Sequence, residues 1–249
     1  MNNAFYTGVT GLRAYQSSLN TIGNNVANTN TIGFKPSRSD FADLISQKMY
    51  VNSEEEPLEG RGVKVISDSL IFRQGTPQAT ERSLDFAIVG DGMFAVDNNG
   101  VKEYTRNGSF ALSLQGNNCS LVTEDGAFVL DSRGGKISFK IDKNTKQPDL
   151  TGLAEKIGVY AAEYPGGLIP LPNTRFLESD TSGTVAALNS GRKNQDLPYR
   201  LIQGSLERSA VEVADEMTSM ITSQRAYQLS ARVVQTADEV EEIVNNLRR

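Results

Sequence analysis

Apolar and small residues recur near the N-terminus with the spacing of an α-helix. From Leu12 onward the steps alternate between three and four residues, which is the heptad spacing of a coiled coil. The members of this N-terminal seam are Phe5, Gly8 or Val9, Leu12, Tyr15, Leu19, Ile22 and Val26. We expect the helix to end near Asn28, because Gly33 can take a positive φ angle and Pro36 cannot continue a helix.

A second helical pattern occupies the last 40 residues. Ser209 and Glu212 have the spacing of a capping box, which predicts that this helix begins at Ser209. Two arginines, Arg248 and Arg249, close the pattern and match the negative end of the helix dipole. The members of this C-terminal seam are Val213, Met217, Met220, Gln224, Tyr227, Ala231, Val234, Ala237, Val240, Val244 and Leu247.

Residue pairs that favour tight turns recur between the two helical patterns, at intervals typical of an antiparallel sheet or barrel. These pairs are Asp91-Gly92, Asn99-Gly100, Asn107-Gly108, Gln115-Gly116, Asp125-Gly126 and Gly134-Gly135. The predicted strands are residues 93–97, 101–106, 109–114, 127–131, 136–141, 157–164 and 168–171. Residues 181–198 are predicted to form a long polar loop.

Together these patterns predict an α+β fold, in which the N- and C-terminal helices pair as a coiled-coil-like layer with an antiparallel β-rich domain inserted between them. The predicted segments are an N-terminal helical assembly segment at 1–40, a β-rich central domain with its linker at 41–208 and a C-terminal helical assembly segment at 209–249. The first 40 residues carry a net charge of +2, to which Lys35 contributes, and the last 40 carry a net charge of −3. These opposite charges favour pairing of the two helices. Each exposed charge pair adds little.

The two seams fit either a helical hairpin within one chain or contacts between chains. Ordering the N-terminal segment costs more backbone entropy than burial of its own seam returns, which favours contacts between chains. We therefore predict that the ends of a lone subunit are frayed and that neighbouring subunits order them. The candidate self-assembly residues are Leu12, Tyr15, Leu19, Ile22, Asn25, Val26, Asn28, Met217, Met220, Gln224, Tyr227 and Val234.

Two of these candidates, Asn25 and Asn28, are polar. Asparagine is common at helix ends, where it caps the helix or takes a left-handed conformation. The alternative is that the side-chain amides bond to neighbouring subunits.

The composition excludes several classes of function. A net charge of −5 and a pI near 5.0 provide no electrostatic footprint for a nucleic acid. No apolar run approaches the ~20 residues of a membrane helix, so we expect no membrane insertion, and the N-terminus does not resemble a secretory signal peptide. The chain contains no histidine and a single cysteine, Cys119. We therefore expect no metal site, no cofactor and no catalytic site.

Carboxylates beside glycines are the acidic residues that could form a catalytic pair. Asp85 with Asp91, or Asp125 with Asp131, would be the pairs available for glycoside hydrolysis. Such carboxylates are more typical of turns. Gly90-Asp91-Gly92 is likewise a turn rather than a dinucleotide-binding motif, because the third glycine is missing.

Several motifs resemble those of flagellar rod and hook proteins. Residues 24–28 (Asn-Asn-Val-Ala-Asn) and 31–35 (Thr-Ile-Gly-Phe-Lys) are similar to the N-terminal signature of that family. Residues 84–94 and 104–110 resemble its β-domain motifs, with Met93 at a position where the family usually has phenylalanine. Residues 203–211 and 220–227 resemble its C-terminal signature, with Ala210 in place of the usual asparagine. The motifs occur in the family's order over nearly the whole chain.

This resemblance implies a structural subunit of the bacterial flagellar basal-body rod, distal or proximal, since a hook protein is normally longer. It implies helical polymerisation through the terminal helices into a hollow, torque-transmitting shaft. The implied partners are copies of the chain, other axial proteins of the rod and hook, surrounding ring proteins and the type III export apparatus, with export requiring no cleaved signal. The alternative is an adhesin-like, secreted surface-binding module that uses the β domain.

Overall fold

The structure is a computed structural model that describes residues 3–44, 47–48, 58–115, 118–140, 152–188 and 198–247. The chain folds into two compact units. The helical unit comprises Met1–Ala27, Ser37–Ser69 and Glu212–Arg249, and the β unit comprises Asn28–Pro36 and Leu70–Val211. This division differs from the three predicted segments, because residues 28–36 group with the strands and residues 37–69 with the helices.

The helices are α1 (Asn3–Ala27), α2 (Leu153–Lys156) and α3 (Val213–Leu247), and a 3₁₀ turn covers Pro165–Gly167. The strands are β1 (Ser37–Asp43), β2 (Gln47–Lys48), β3 (Leu58–Glu59), β4 (Val63–Leu70), β5 (Pro77–Ala79), β6 (Phe86–Gly90), β7 (Met93–Asn98), β8 (Val101–Thr105), β9 (Phe110–Gln115), β10 (Asn118–Thr123), β11 (Phe128–Val129), β12 (Ser138–Lys140), β13 (Val159–Ala162), β14 (Ile169–Leu171), β15 (Arg175–Leu177), β16 (Val185–Ala187), β17 (Tyr199–Gln203) and β18 (Ser205–Glu207).

Helix α1 is the central element of the helical unit, because it packs against both α3 and β1. Strands β1 and β4 pair as a two-stranded ribbon. The ring of Tyr15 on α1 lies against the ring of Phe41 on β1, with 5.7 Å between the ring centroids. The side-chain hydroxyl of Thr10 on α1 accepts a hydrogen bond from the backbone N–H of Val63 at 3.4 Å, which joins the same helix to β4.

The β unit is built on one ten-stranded antiparallel sheet. Its main path runs β12-β10-β11-β7-β8-β15-β14, while β9 pairs with β10, β13 with β7 and β16 with β13. Two antiparallel ribbons, β6 with β17 and β5 with β18, complete the unit. The fully buried rings of Phe86, Phe94 and Phe110 pack in the main apolar core of the β unit.

These elements confirm the predicted α+β class, with terminal helices and a central antiparallel β region. Each predicted strand overlaps an observed one, although several observed strands are shorter, such as Phe128–Val129 within 127–131. The tight turn at Asn99-Gly100 is also confirmed, because both residues have positive φ angles, of 53° and 88°, and the turn connects β7 to β8.

Two predictions about loops and helix starts were wrong. Helix α3 begins at Val213 rather than at Ser209, because the preceding segment is held in the β unit, where the Ala210 N–H donates to the carbonyl of Phe34 at 3.1 Å. The predicted polar loop at 181–198 contains strand β16, which pairs with β13. Residue 116 of the predicted Gln115-Gly116 turn, residue 141, residues 189–197 of that loop and both terminal arginines lie outside the described residues.

Candidate assembly surface

The buried line of α1 consists mostly of small residues. Its members are Gly8, Gly11, Ala14, Ser18, Ile22 and Asn25. A Cβ atom built on Gly8 would lie only 2.8 Å from Cγ2 of Val234 on α3, and the hydroxyl oxygens of Ser18 and Ser223 are 3.4 Å apart. Residue numbers therefore rise on α1 as they fall on α3, so the two helices are antiparallel. Small side chains on α1 allow this close approach.

Most buried residues of α1 precede a residue of the predicted N-terminal seam by one position in the sequence. Ile22 belongs to both, as does Gly8, which the seam offers as an alternative to Val9, whereas Leu12, Tyr15, Leu19 and Val26 are half-buried. The Tyr15 contact with Phe41 shows that part of this seam packs against the β1–β4 ribbon. The apolar periodicity therefore predicted the helix correctly but not the line that faces α3.

The amide of Asn25 bonds entirely within its own chain. Its Nδ2 atom donates to the carbonyl of Ser37 at 2.8 Å and to Oε1 of Glu216 at 3.1 Å, and its Oδ1 atom accepts from the backbone N–H of Ser37 at 3.0 Å. Asn25 is only 1% exposed. In the single chain the amide joins α1, β1 and α3, and the alternative that it bonds to a neighbouring subunit stays a prediction.

Asn28 has a local role in the turn after α1. Its backbone carbonyl accepts from the N–H of Thr31 at 3.1 Å, and its Oδ1 atom accepts from the Thr31 hydroxyl at 3.0 Å. These contacts agree with the helix-end interpretation of this asparagine.

Glu216 is an ionisable group at the α1–α3 contact. Burial raises the pKa of its carboxyl, the hydrogen bond donated by Asn25 opposes that rise, and the nearby charge of Asp215 adds to it. The contact therefore favours a protonated Glu216 more than water does.

Helix α3 has two different faces. Among the predicted residues, Met220, Tyr227 and Val234 are half-buried, while Met217 and Gln224 are exposed. A set of large apolar side chains on α3 remains between 43% and 82% exposed. We call this set the α3 outer face: Met217, Ile221, Leu229, Val233, Val240, Ile243, Val244 and Leu247.

The end of α3 extends beyond α1. Gly8 lies beside Val234, and the described part of α1 begins shortly before Gly8, at Asn3. The last four members of the α3 outer face, from Val240 onward, therefore have no described α1 residue opposite them. They form an exposed apolar helix end.

Three buried charged side chains meet in the β unit, and the sequence patterns did not predict this. The carboxylate of Glu207 accepts from Lys35 Nζ at 2.6 Å, from Arg106 Nη1 at 2.9 Å and from the backbone N–H of Gly75 at 2.8 Å. We call Lys35, Arg106 and Glu207 the Glu207 cluster. Its members come from three separate sequence motifs. The sequence signal for a buried charge cluster was that each motif carries a charged residue close to apolar residues and a glycine.

Burial dominates the electrostatics of Lys35 in this cluster. Burial lowers the pKa of its ammonium group, the adjacent Glu207 carboxylate opposes that effect, and Arg106 adds to the lowering. The charge balance of the sequence predicts that Lys35 attracts the C-terminal helix. That interpretation was wrong, because the side chain is enclosed in the β unit and its charge is balanced there.

The carboxylates considered for catalysis are held in turns and ion pairs. Asp85 is buried and accepts from the Thr80 hydroxyl at 2.8 Å, and Asp125 pairs with Arg175 at 2.7 Å. Asp131 accepts from the backbone N–H groups of the turn that follows it. In the part of the chain that the structure describes, no cluster of histidine, cysteine or acidic side chains suits a metal ion, and no helix has the length and hydrophobicity of a membrane span.

Comparison with known proteins decides the family. Three sequence profiles match: "Flagella basal body rod protein" at residues 5–35, "Flagellar hook protein FlgE/F/G D1 domain" at 87–152 and "Flagellar basal body rod FlgEFG protein C-terminal" at 202–247. The flagellar basal-body rod protein FlgG of Bacillus subtilis is 34% identical over 100% of both chains. FlgG of Borreliella burgdorferi is 35% identical over 100% of both chains, and FlgG of Caulobacter vibrioides is 32% identical over 98% of this chain and 99% of its own.

The chain belongs to the flagellar basal-body rod protein family. It is a structural subunit of the rod and is located in the flagellar basal body. Each of the three matched regions of this rod protein supplies one residue of the Glu207 cluster: Lys35, Arg106 and Glu207.

Proposed function

We propose that this rod protein polymerises helically through α1 and α3 into a hollow shaft that transmits torque. The observation that carries the proposal is the α3 outer face. In each chain one side of α3 is occupied by α1, while the outer face presents large apolar side chains to solvent. Exposed apolar surface of this extent typically marks a protein–protein interface.

The position of the α3 outer face supports an open polymer of this chain rather than a closed dimer. The α3 outer face differs from the α1 surface, so a contact between them joins two unlike patches. Contacts between unlike patches produce rings when the rotation closes and helical filaments when it does not. The exposed end of α3 after Ala237 provides a segment that a neighbouring copy can cover.

The revised set of self-assembly residues follows from their exposure. The exposed candidates Met217, a member of the α3 outer face, and Gln224 can reach a neighbouring chain directly, as can the other members of that face. The roles of the half-buried candidates in assembly stay predictions, and these residues are Leu12, Tyr15, Leu19, Val26, Asn28, Met220, Tyr227 and Val234. Ile22 and Asn25 are buried within the helical unit of the single chain, and their part in assembly also stays a prediction.

The rod protein assembles with other components of the flagellar axis, as the family implies. We infer that it also contacts the surrounding ring proteins and reaches its site through the type III export apparatus. We further infer that it has no catalytic activity, since the similar proteins are named as rod proteins. None of the relatives compared above points to an adhesin-like module.

Leu229→Asp tests the proposal. Leu229 is exposed in the single chain, so the added carboxylate stays in water and the melting temperature of the monomer should change little. In a polymer the same carboxylate is enclosed by a neighbour, where an unpaired charge costs several kcal/mol at every copy. Cells with this variant should lack rods and should not swim.

Gln228→Asp is the matched control, because it adds the same charge at the neighbouring exposed, already polar position. These cells should retain rods, counted by electron microscopy of isolated hook–basal bodies. Normal swimming of Leu229→Asp cells would contradict the assembly role of the α3 outer face.

A further inference from the structure

The Glu207 cluster lies among the three segments of the β unit that adjoin the helical unit in the chain. Residues 28–36 lie between α1 and β1 and adjoin the helical unit at both ends, residues 70–76 begin at the last residue of β4, and residues 204–211 precede α3. We call them the first, second and third connectors. Each is part of the β unit. Force that passes along the chain between the helices and the sheet must pass through the second or the third connector, and the first connector can share that force only through its bonds to those two.

Backbone hydrogen bonds join the first and third connectors. The N–H of Gly33 donates to the carbonyl of Glu207 at 2.8 Å, and the N–H of Ala210 donates to the carbonyl of Phe34 at 3.1 Å. A Cβ atom built on Gly33 would lie 2.7 Å from the backbone of Arg106, and its φ angle is +68°. Only glycine fits at this position without strain.

The second connector is bound to both of the others. Lys35 Nζ donates to the carbonyl of Arg73 at 2.6 Å, and the N–H of Arg208 donates to the carbonyl of Thr76 at 3.1 Å. The guanidinium of Arg73 donates to the carbonyl of Ala210 at 3.2 Å. The carboxylate of Glu207 and the ammonium of Lys35 therefore lie where three chain segments meet.

The Glu207 cluster stabilises the fold less effectively than packed apolar side chains could. Lys35 and Glu207 have fully buried side chains, and the buried Nε atom of Arg106 has no hydrogen-bond partner among the described residues. Removing such charges from water is costly, and well-packed apolar side chains often stabilise a protein as much or more. Directional bonds to three segments at once, in contrast, can only be made by polar groups.

We propose that the Glu207 cluster is a mechanical joint, in which Glu207 and Lys35 are positioning residues that bind the three connectors into one unit and share force among them. This inference rests on the proposed function, since it assumes that the rod transmits torque. Without the joint, the second and third connectors would carry force separately, and the three segments would separate under load before the sheet unfolds.

Lys35→Met tests the joint, because methionine keeps much of the aliphatic stem and removes the ammonium group. Val129→Ala is the matched control, since it weakens the core of the β unit without altering a connector. In the purified full-length protein, Lys35→Met should accelerate amide hydrogen exchange in residues 28–36 and 204–211 at least tenfold relative to β7 and β10. Val129→Ala should accelerate exchange in all these segments by a similar factor.

The mechanical part is measured in cells as motor speed against viscous load. Lys35→Met cells should match the wild type at low load and lose speed at high load, whereas Val129→Ala cells should follow the wild-type curve at both. Glu207→Gln provides a second variant with the same expectation. Any result in which Lys35→Met and Val129→Ala behave alike, in exchange or under load, overturns the joint. Absence of the wild-type chain from isolated basal bodies would instead overturn the proposed function.

Discussion

Asn25 shows how much one amide group contributes to the helical unit. It bonds both backbone groups of Ser37 and also the carboxylate of Glu216, so a single side chain joins α1 to a strand and to a second helix. The site is almost completely buried, so water cannot replace these bonds if the amide is removed.

Asn25→Ala should therefore lower the free energy of unfolding by about 1–3 kcal/mol, because it leaves buried polar groups unpaired. Urea denaturation followed by circular dichroism measures the change. Asn20→Ala is the control, since Asn20 is exposed and accepts only from Gln16 on the same helix among the contacts described. That change should stay within about 0.5 kcal/mol. Equal losses for both variants would show that the Asn25 bonds are unimportant.

Glu216 should make the stability of the chain depend on pH. Its pKa is raised in the folded state, so the folded protein binds the proton at higher pH than the unfolded chain does. This group therefore stabilises the folded state as pH falls through the folded pKa, and the gain is complete below the ordinary value of 4.5.

Glu216→Gln should remove this contribution and raise stability at neutral pH, where the wild-type carboxylate is charged. The measurement is the difference in unfolding free energy between variant and wild type from pH 7 to pH 4. That difference should shrink as the pH falls. Glu239→Gln, at an exposed position on the same helix, should give a difference that is independent of pH. A flat difference for Glu216→Gln would contradict the burial of this carboxyl.

At the scale of elements, the pairing of α1 with α3 depends on side-chain size. Gly8 and Gly11 lie where α3 is closest, and glycine within a helix normally costs about 0.5–1 kcal/mol relative to alanine. Glycine is nevertheless favoured at these two positions, because a larger side chain would push α1 and α3 apart. A Cβ atom built on Gly11 would lie 2.9 Å from the hydroxyl oxygen of Ser230 but 3.5 Å from its Cβ, which is an ordinary contact.

This geometry predicts a rescue. Gly11→Ala alone should lower the melting temperature, because the new methyl group clashes with the Ser230 hydroxyl. Combining it with Ser230→Ala removes the clash and keeps the higher helix propensity of alanine, so the double variant should be at least as stable as the wild type. Thermal melting of all four proteins forms a double-mutant cycle. Purely additive effects would mean that the helices do not touch at this position.

At the scale of the whole molecule, the two units differ in how they are stabilised. The β unit contains two apolar clusters with fully buried aromatic rings. Among the described residues of the helical unit, the buried apolar side chains are only Ala14, Ile22 and Ala237. A unit with so few buried apolar contacts opens more readily than one with a large core.

Limited proteolysis of the monomer should therefore remove the terminal helices first and leave a fragment that contains the sheet. The fragment should extend from near Asn28 to near Val211, with any further cuts between residues 37 and 69. Intact-mass spectrometry over a time course identifies the products. In assembled rods the same helices should resist cleavage, because neighbouring chains cover the α3 outer face. Helices that survive in the monomer as long as the sheet would contradict this order.

The sequence by itself determined the elements whose signals are local. The two terminal helices follow from apolar spacing, and the hairpin between β7 and β8 follows from Asn99-Gly100, because both features depend on residues that are near one another in the chain. Strands β1, β17 and β18 were not predicted, since each is stabilised by a distant partner strand and is not flanked by a clear turn.

Only the tertiary structure decided which side of each helix is used and which charges meet. Small residues carry a weak hydrophobic signal. The apolar pattern therefore indicated the larger residues of the N-terminal seam and not the buried line through Gly8, Gly11 and Ser18. The start of α3 depends on the bond between Ala210 and Phe34, which opposes the local capping signal at Ser209. Lys35 and Glu207 are 172 residues apart in the chain. Their pairing arises from the folding of the connectors, and no local pattern of residues predicts it.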